Sequence, residues 1–136
     1  IQIKPAVFFK AQEKMNQSSL IWKQSGGTHM SGLFKENGTM ISYSEDVGRH
    51  NTLDKIIGEA NINKTDVSNC FVVTSGRLSV AMISKLIRAK IPIVVSISAP
   101  TAQGLELAKK AKLTVVGFSR PPFFNVYSNK ERIIVS

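Results

Sequence analysis

The chain has 136 residues, 43% hydrophobic and 20% charged, which suffices for one domain with a core and excludes a disordered segment. Its one cysteine, Cys70, excludes an internal disulfide framework and a cysteine-rich zinc site. The net charge of +9, from 18 Lys and Arg against 9 Asp and Glu, either favours an anionic partner (nucleic acid, a nucleotide, an acidic protein) or describes only a solvated basic surface.

No apolar stretch reaches the length of a membrane span and no signal peptide opens the sequence; the single cysteine fits a reducing cytoplasm, and a cytoplasmic location without a membrane partner is the expectation. The opening Ile1-Gln2-Ile3-Lys4 lacks a methionine and reads as part of a longer protein. Residues 5–19 read as a helix, with Pro5 at a first helical position and Val7, Phe8, Ala11 and Met15 on one face. Ser25-Gly26-Gly27-Thr28 reads as a turn. Residues 29–35 and 39–44 read as strands around Glu36-Asn37-Gly38, whose Asn-Gly step signals a hairpin. Asp46 is expected to cap a helix running to about Ala60, with Leu53, Ile56, Ile57 and Ala60 as its apolar stripe. Residues 61–69 form a polar connection.

A rhythm follows. Val72-Val73, Val94-Val95 and Val115-Val116 recur at intervals of 22 and 21 residues, each in a short apolar run. Runs without polar alternation suit strands buried on both faces. Helical patterns over 79–89 (Met82, Ile83, Leu86 and Ile87 inward) and 101–111 (Leu105 and Ala108 inward) separate them. The spacing predicts a strand-helix-strand-helix-strand layer with parallel strands. Residues 123–127 and 132–135 are candidates for edge strands. No linker divides the chain, so residues 1–136 are expected to form a single α/β domain.

Each recurring strand ends in a hydroxyl: Ser75, Ser98, Ser119. In a parallel sheet these ends share one edge, where ligands of open α/β sheets bind. Two ends lead into helix starts, whose free N–H groups attract anions. Gly76 permits close backbone approach, and Arg77 and Arg120 offer forked donors suited to phosphate. Taken singly, Ser79 and Thr101 read equally well as N-caps and Gly76 as a turn residue. Together the seams read as a phosphate-binding edge. No Walker loop or GxGxxG accompanies them.

A second constellation is Glu45-Asp46-Val47-Gly48-Arg49-His50-Asn51. Arg49 falls on the side of Leu53, Ile56 and Ala60, where a charge is costly unless paired, and in the first turn it can reach towards a ligand or Glu45. Asp46, His50 and Asp54 are four apart, which allows a carboxylate–imidazole contact; a capped helix with a surface histidine fits the spacing equally well. His29, His50 and Cys70 lack zinc-site spacing, so no metal is expected, and Cys70, opening an apolar strand, reads as a buried thiol. No nucleophile elbow is present and no catalytic residue is assigned.

EDVGRHNTLDKIIG (45–58), SGRLSVAMISK (75–85), IPIVVSISAPT (91–101) and LTVVGFSRPPFFNVYS (113–128), with the Gly26-Gly27-Thr28-His29 turn, resemble the signature blocks of the FdhD family, the formate dehydrogenase accessory sulfurtransferases. The resemblance implies a cytidine deaminase-like three-layer α/β sandwich, a hairpin plus parallel strands with flanking helices, assembled as a homodimer. It implies sulfur taken as a persulfide from a cysteine desulfurase and passed to the molybdenum (or tungsten) bis-molybdopterin guanine dinucleotide cofactor of formate dehydrogenase, with GDP as a plausible mimic. The deaminase zinc signature is absent, so deamination is not implied. The cofactor-binding stretch maps onto Phe118, Ser119, Arg120, Pro121, Pro122 and Phe123. Ser75, Gly76, Arg77, Ser98, Ala99, Pro100, Thr101, His29, Asp46, Arg49 and His50 complete the expected site. The family's persulfide-bearing Cys-x-x-Cys is not in this sequence, and Cys70 does not match it. Ala81, Lys90 and Pro121 stand where the family has glutamate, glycine and glycine.

The competing reading is a basic RNA-binding module without catalysis. Low aromatic content, 7%, and the lack of a strand-borne aromatic motif make nucleic acid the less favoured partner. A zinc-free hydrolase lacks a water-activating group.

Overall fold

The structure, a computed structural model, describes residues 1–19 and 27–135. Its elements are α1 (Pro5–Ser18), β1 (His29–Lys35), β2 (Met40–Asp46), α2 (Arg49–Ile62), β3 (Cys70–Thr74), α3 (Val80–Arg88), β4 (Ile93–Ser96), α4 (Ala102–Lys110), β5 (Thr114–Arg120) and β6 (Phe123–Ser128), with 3-10 turns at Val67–Asn69 and Lys130–Arg132. The strands form one mixed sheet in the order β2-β1-β3-β4-β5-β6. Strands β3, β4 and β5 are parallel, and β1, β2 and β6 run antiparallel to their neighbours. The expected α/β layer is therefore present, with the hairpin at one end.

The valine rhythm is a physical row across the sheet. Val72 pairs with Val94 and Val94 with Val115; Val73 pairs with Val95 and Val95 with Val116. The first valine of each pair packs under α2, α3 and α4 through Leu53, Ile56, Met82, Ile83, Leu86 and Ala108. The second packs under α1 through Phe8, Ala11 and Met15. Burial on both faces explains the missing polar alternation, and each such side chain contributes about 1.5–3 kcal/mol. Phe34 and Phe71 stack at 5.5 Å on the α1 side.

Three expectations change, and one lies outside the described residues. Asp46 does not cap α2: the N-cap is Gly48, which uses no side chain, and Asp46 closes the preceding turn by accepting from Gly48 N at 3.0 Å. Leu105 is half-buried, and α4 packs through Gly104 and Ala108 instead. A Cβ on Gly104 would stand 2.5 Å from Leu78 O, so only glycine lets α4 approach so closely. Residues 132–135 form no strand, only a bridge between Ile3 and Ile133. Ser25 and Gly26 of the expected turn lie outside the described residues.

Lys64, Lys90 and Lys112 follow the C-caps of α2, α3 and α4 with φ of 54°, 62° and 58°. This left-handed position favours glycine, which accounts for the glycine expected at Lys90. The turn after α3 is closed by Ile91 N donating to Leu86 O at 3.1 Å. Ala81 is exposed in the first turn of α3.

Candidate functional site

The carboxyl ends of β3, β4 and β5, the start of β1 and the start of α2 share one edge of the sheet. Three buried hydroxyls fix this edge from below. Ser31 Oγ lies 2.8 Å from Thr52 Oγ1 and 2.9 Å from Thr74 Oγ1, and Thr52 Oγ1 donates to Arg49 O at 2.8 Å. Strands β1 and β3 and the first turn of α2 are thereby one block.

The two seams are then joined to each other. Ser96 Oγ donates to Gly76 O at 2.7 Å, and Ser98 Oγ to Ser75 O at 2.9 Å. Leu78 N donates to Ala99 O at 3.2 Å and Thr101 N to Leu78 O at 3.1 Å, so Leu78 and Pro100 form a short parallel bridge beyond the strand ends. Ser79 and Thr101 cap α3 and α4 through the N–H groups of Met82 and Gly104. The third strand joins through Phe118 N, which donates to Ser98 O at 3.0 Å. Ser75, Ser98 and Phe118 thus lie along one edge.

Gly76 has a specific reason to be glycine. It is buried, and a Cβ there would stand 2.9 Å from Arg49 Cβ. The close approach expected at Gly76 is made by the stem of Arg49. That stem lies across the seam, and Arg49 Nε is buried without a hydrogen-bond partner. Arg77 is exposed and makes no hydrogen bond or ion pair among the described residues. Arg120 places its guanidinium carbon 5.8 Å from the Phe118 ring centroid. Phe118 has φ +48° and is 42% exposed; Phe123 is 75% exposed. Pro121 and Pro122, joined by a cis peptide, are exposed between them. Three guanidinium groups and two open aromatic rings are a donor set suited to a phosphate-bearing aromatic ligand.

Other expected site residues sit differently. Ser119 is fully buried and faces α1, where its Oγ donates to Gln12 Oε1 at 2.7 Å while Gln12 Nε2 donates to Ser119 O at 2.6 Å. The third strand-end hydroxyl is therefore part of the core and not of the edge. Asp46 is held by Lys55 at 2.8 Å, Gly48 N and Asn51, and these contacts depress its carboxyl from 3.8 to about 2. Asp46 makes no contact with His50, and Asp54 pairs with Lys85 at 2.9 Å. Burial, then Lys85 and Arg49, pushes the His50 pKa down, so its ring is neutral at neutral pH. Glu45 accepts from Ser19 and Thr28. His29 Nδ1 lies 3.2 Å from Ser75 Oγ. Sequence reasoning missed Thr74 and Ser96, the hydroxyls that lock the seams, and the adjacent hydroxyls in Thr74-Ser75 and Ser96-Ile97-Ser98 were the signal.

A groove of about 700 Å³ is at the opposite edge, lined by Val7, Lys35, Ile41, Asp66, Cys70 and Ile134 among others. Cys70 is buried there, and burial foremost pushes its thiol pKa up. Among the described residues no three His, Cys, Asp or Glu side chains gather as a metal site requires. No helix is long and apolar enough to cross a membrane among them.

The family model described as FdhD/NarQ matches residues 1–134. The sequence is 40% identical over 134 residues to the sulfur carrier protein FdhD of Saccharolobus solfataricus, which covers 98% of this chain and 52% of that protein. Its identity to the protein of the same name from Methanothermobacter thermautotrophicus is 37%, covering 98% and 53%. The chain spans about half the length of the curated relatives it matches. A crystal structure from Desulfotalea psychrophila, described provisionally as a formate dehydrogenase accessory protein, superposes with a TM-score of 0.91 at 37% identity, covering 98% of this chain and 59% of that one. The structure of NE0047 in complex with 2,6-diaminopurine shares the fold alone, with a TM-score of 0.53 at 14% identity over 66% of this chain and 62% of that one.

Proposed function

The chain belongs to the FdhD/NarQ family, and on that premise we propose that it is the cofactor-binding part of a sulfur carrier. In this reading the molybdenum (or tungsten) bis-molybdopterin guanine dinucleotide is the substrate. It is held at the strand-end edge while sulfur from a cysteine desulfurase is delivered to it for formate dehydrogenase. The reading includes a cytidine deaminase-like sandwich, a homodimer and a cytoplasmic setting.

One observation carries it: an uncompensated guanidinium set on a rigid edge. Arg49 Nε is buried without a partner, Arg77 is unpaired among the described residues, and Arg120 lies against Phe118. An orphaned buried donor is costly unless a ligand accepts from it, so the residues present fit a diphosphate-bearing nucleotide. Phe118 and Phe123 supply faces on which a purine can stack. When bound, the cofactor supplies the metal centre that takes up the sulfur; these residues bind and orient it.

Persulfide relay needs an accessible thiolate, which attacks the terminal sulfur of the donor persulfide as the donor's own thiolate leaves. Cys70 is buried, has a raised pKa and lies at the other edge, so in this scheme the relaying thiol stands outside these 136 residues. Calorimetry with GDP tests the assignment. The account expects saturable binding that Arg77→Ala weakens by about ten- to a hundredfold. A folded sample that takes up no GDP at millimolar ligand would falsify it. The RNA-binding alternative has one observation in its favour, the exposed lysines Lys64, Lys90 and Lys112 beyond α2, α3 and α4. Tight RNA binding with a steep salt dependence and no nucleotide affinity would establish it instead.

A further inference from the structure

The last regular pair between β1 and β3 is Ser31 with Thr74, and one step further Met30 faces Ser75. Ser75 N donates to Met30 O at 2.9 Å as an antiparallel ladder requires. The return bond is altered: Met30 N donates to Ser75 Oγ at 2.9 Å, and Ser75 O, released from the ladder, accepts from Ser98 Oγ at 2.9 Å. The Ser75 side chain thus replaces its own carbonyl in the sheet.

That substitution determines where the hydroxyl proton goes. Ser75 Oγ already accepts one bond and has a single proton to donate. His29 Nδ1, at 3.2 Å, is the only other group in hydrogen-bond contact with Ser75 Oγ among the described residues. A neutral imidazole carries one donor and one acceptor nitrogen. If Nδ1 were the donor, Ser75 Oγ would accept two bonds, which its lone pairs allow, but the serine proton would have no acceptor among the described residues. If Nδ1 accepts, the serine proton has its acceptor and Ser75 Oγ keeps both of its contacts. The ring proton is then on Nε2, on the side of the imidazole away from Ser75.

We infer that Ser75 is a positioning residue that holds His29 Nδ1 as an acceptor, leaving the Nε2–H as a directional donor to an anion beside Gly76 and Arg77. That an anion binds here, and its identity, rest on the proposed function; the Ser75–His29 relation does not. The other donors at this edge are guanidinium groups, which attract any anion; a single oriented N–H adds preference for one orientation.

Long-range ¹⁵N–¹H correlation of the histidine rings in the ligand-free full chain tests the inference, with His29→Gln used to separate His29 from His50. The expected wild-type signature is a pyridine-like Nδ1 and a pyrrole-like Nε2 at a pH where the ring is neutral. The Nδ1 signal should move towards that of a ring without an accepted hydrogen bond in Ser75→Ala, and stay near wild type in Ser75→Thr. A pyrrole-like Nδ1 in the wild type overturns the inference even if Ser75→Ala does not fold. So does an Nδ1 signal identical in the wild type and a folded Ser75→Ala. A GDP titration adds a second arm: His29→Gln, whose amide nitrogen reaches the Nε2 position, should retain most of the affinity, and His29→Asn should lose roughly tenfold. The reverse order contradicts the inference. If GDP binds to no variant or to the wild type, the cofactor assignment fails, while the ring signature still decides the Ser75–His29 relation.

Discussion

The two edges of the sheet are built on opposite plans. At the carboxyl edge the backbone is drawn together by Ser96, Ser98 and the Leu78–Pro100 bridge. At the other edge α2, α3 and α4 end in left-handed lysine turns, and a groove of about 700 Å³ contains the chain's one thiol. The groove is thus not where the proposed site lies. Volume favours the groove, but the unpaired donors an anion requires are on the tight edge, which is braced by hydroxyls bonded to the protein itself.

The comparison is broken most severely by substitutions that loosen the tight edge. Gly104→Ala places a Cβ 2.5 Å from Leu78 O and should destabilise the fold by about 1–3 kcal/mol, seen as a lower urea midpoint with an unchanged slope. A midpoint within error of wild type would show that the helices can separate freely at this contact. Next comes Arg77→Ala, with the ten- to a hundredfold loss of GDP affinity given above and no change in stability, since Arg77 is exposed and unpaired among the described residues. Stability and affinity falling together would mean that Arg77 supports the fold instead.

The far edge should respond in the opposite sense. Cys70→Ala removes a buried sulfur and should cost about 1 kcal/mol while leaving GDP affinity unchanged. The Cys70 thiol should react with a thiol reagent only under unfolding conditions, because it is buried and its pKa is raised; rapid labelling of native protein would contradict this. The smallest effect is electrostatic. The His50 pKa is depressed in the folded state, mainly by burial, so its contribution to stability is complete above the ordinary histidine range and is lost as pH falls through the folded value. His50→Gln should flatten the decline in stability on acidification through that window, and an unchanged pH profile would show that its burial is immaterial.

The parallel layer was legible because burial on both faces leaves a sequence signal that depends on nothing else: the three valine pairs, 21 and 22 residues apart, are neighbours in the sheet. Ser79 and Thr101 were legible as caps because capping is local. Ser119 was misread because the direction a strand-end hydroxyl faces depends on strand parity and on Gln12, 107 residues away. Gly76 was read correctly as a close approach, but the group that approaches is Arg49, from an element 27 positions earlier. Asp46 was misassigned by two residues, which turned a cap into an Asx turn. Of the candidate site, Arg77, Ser98 and Arg120 could be placed on the edge from the strand ends alone, whereas the hydroxyl lock of Ser31, Thr52 and Thr74 is a tertiary feature with no local signature.

The account depends on the tight edge, and not the wide groove, receiving the nucleotide. Backbone amide shifts followed through a GDP titration locate the contact directly. The account predicts that the largest changes fall at Ser75, Gly76, Arg77, Ser98, Phe118 and Arg120, with Lys35, Asp66 and Cys70 unmoved. Changes concentrated at Lys35, Asp66 and Cys70 would contradict it.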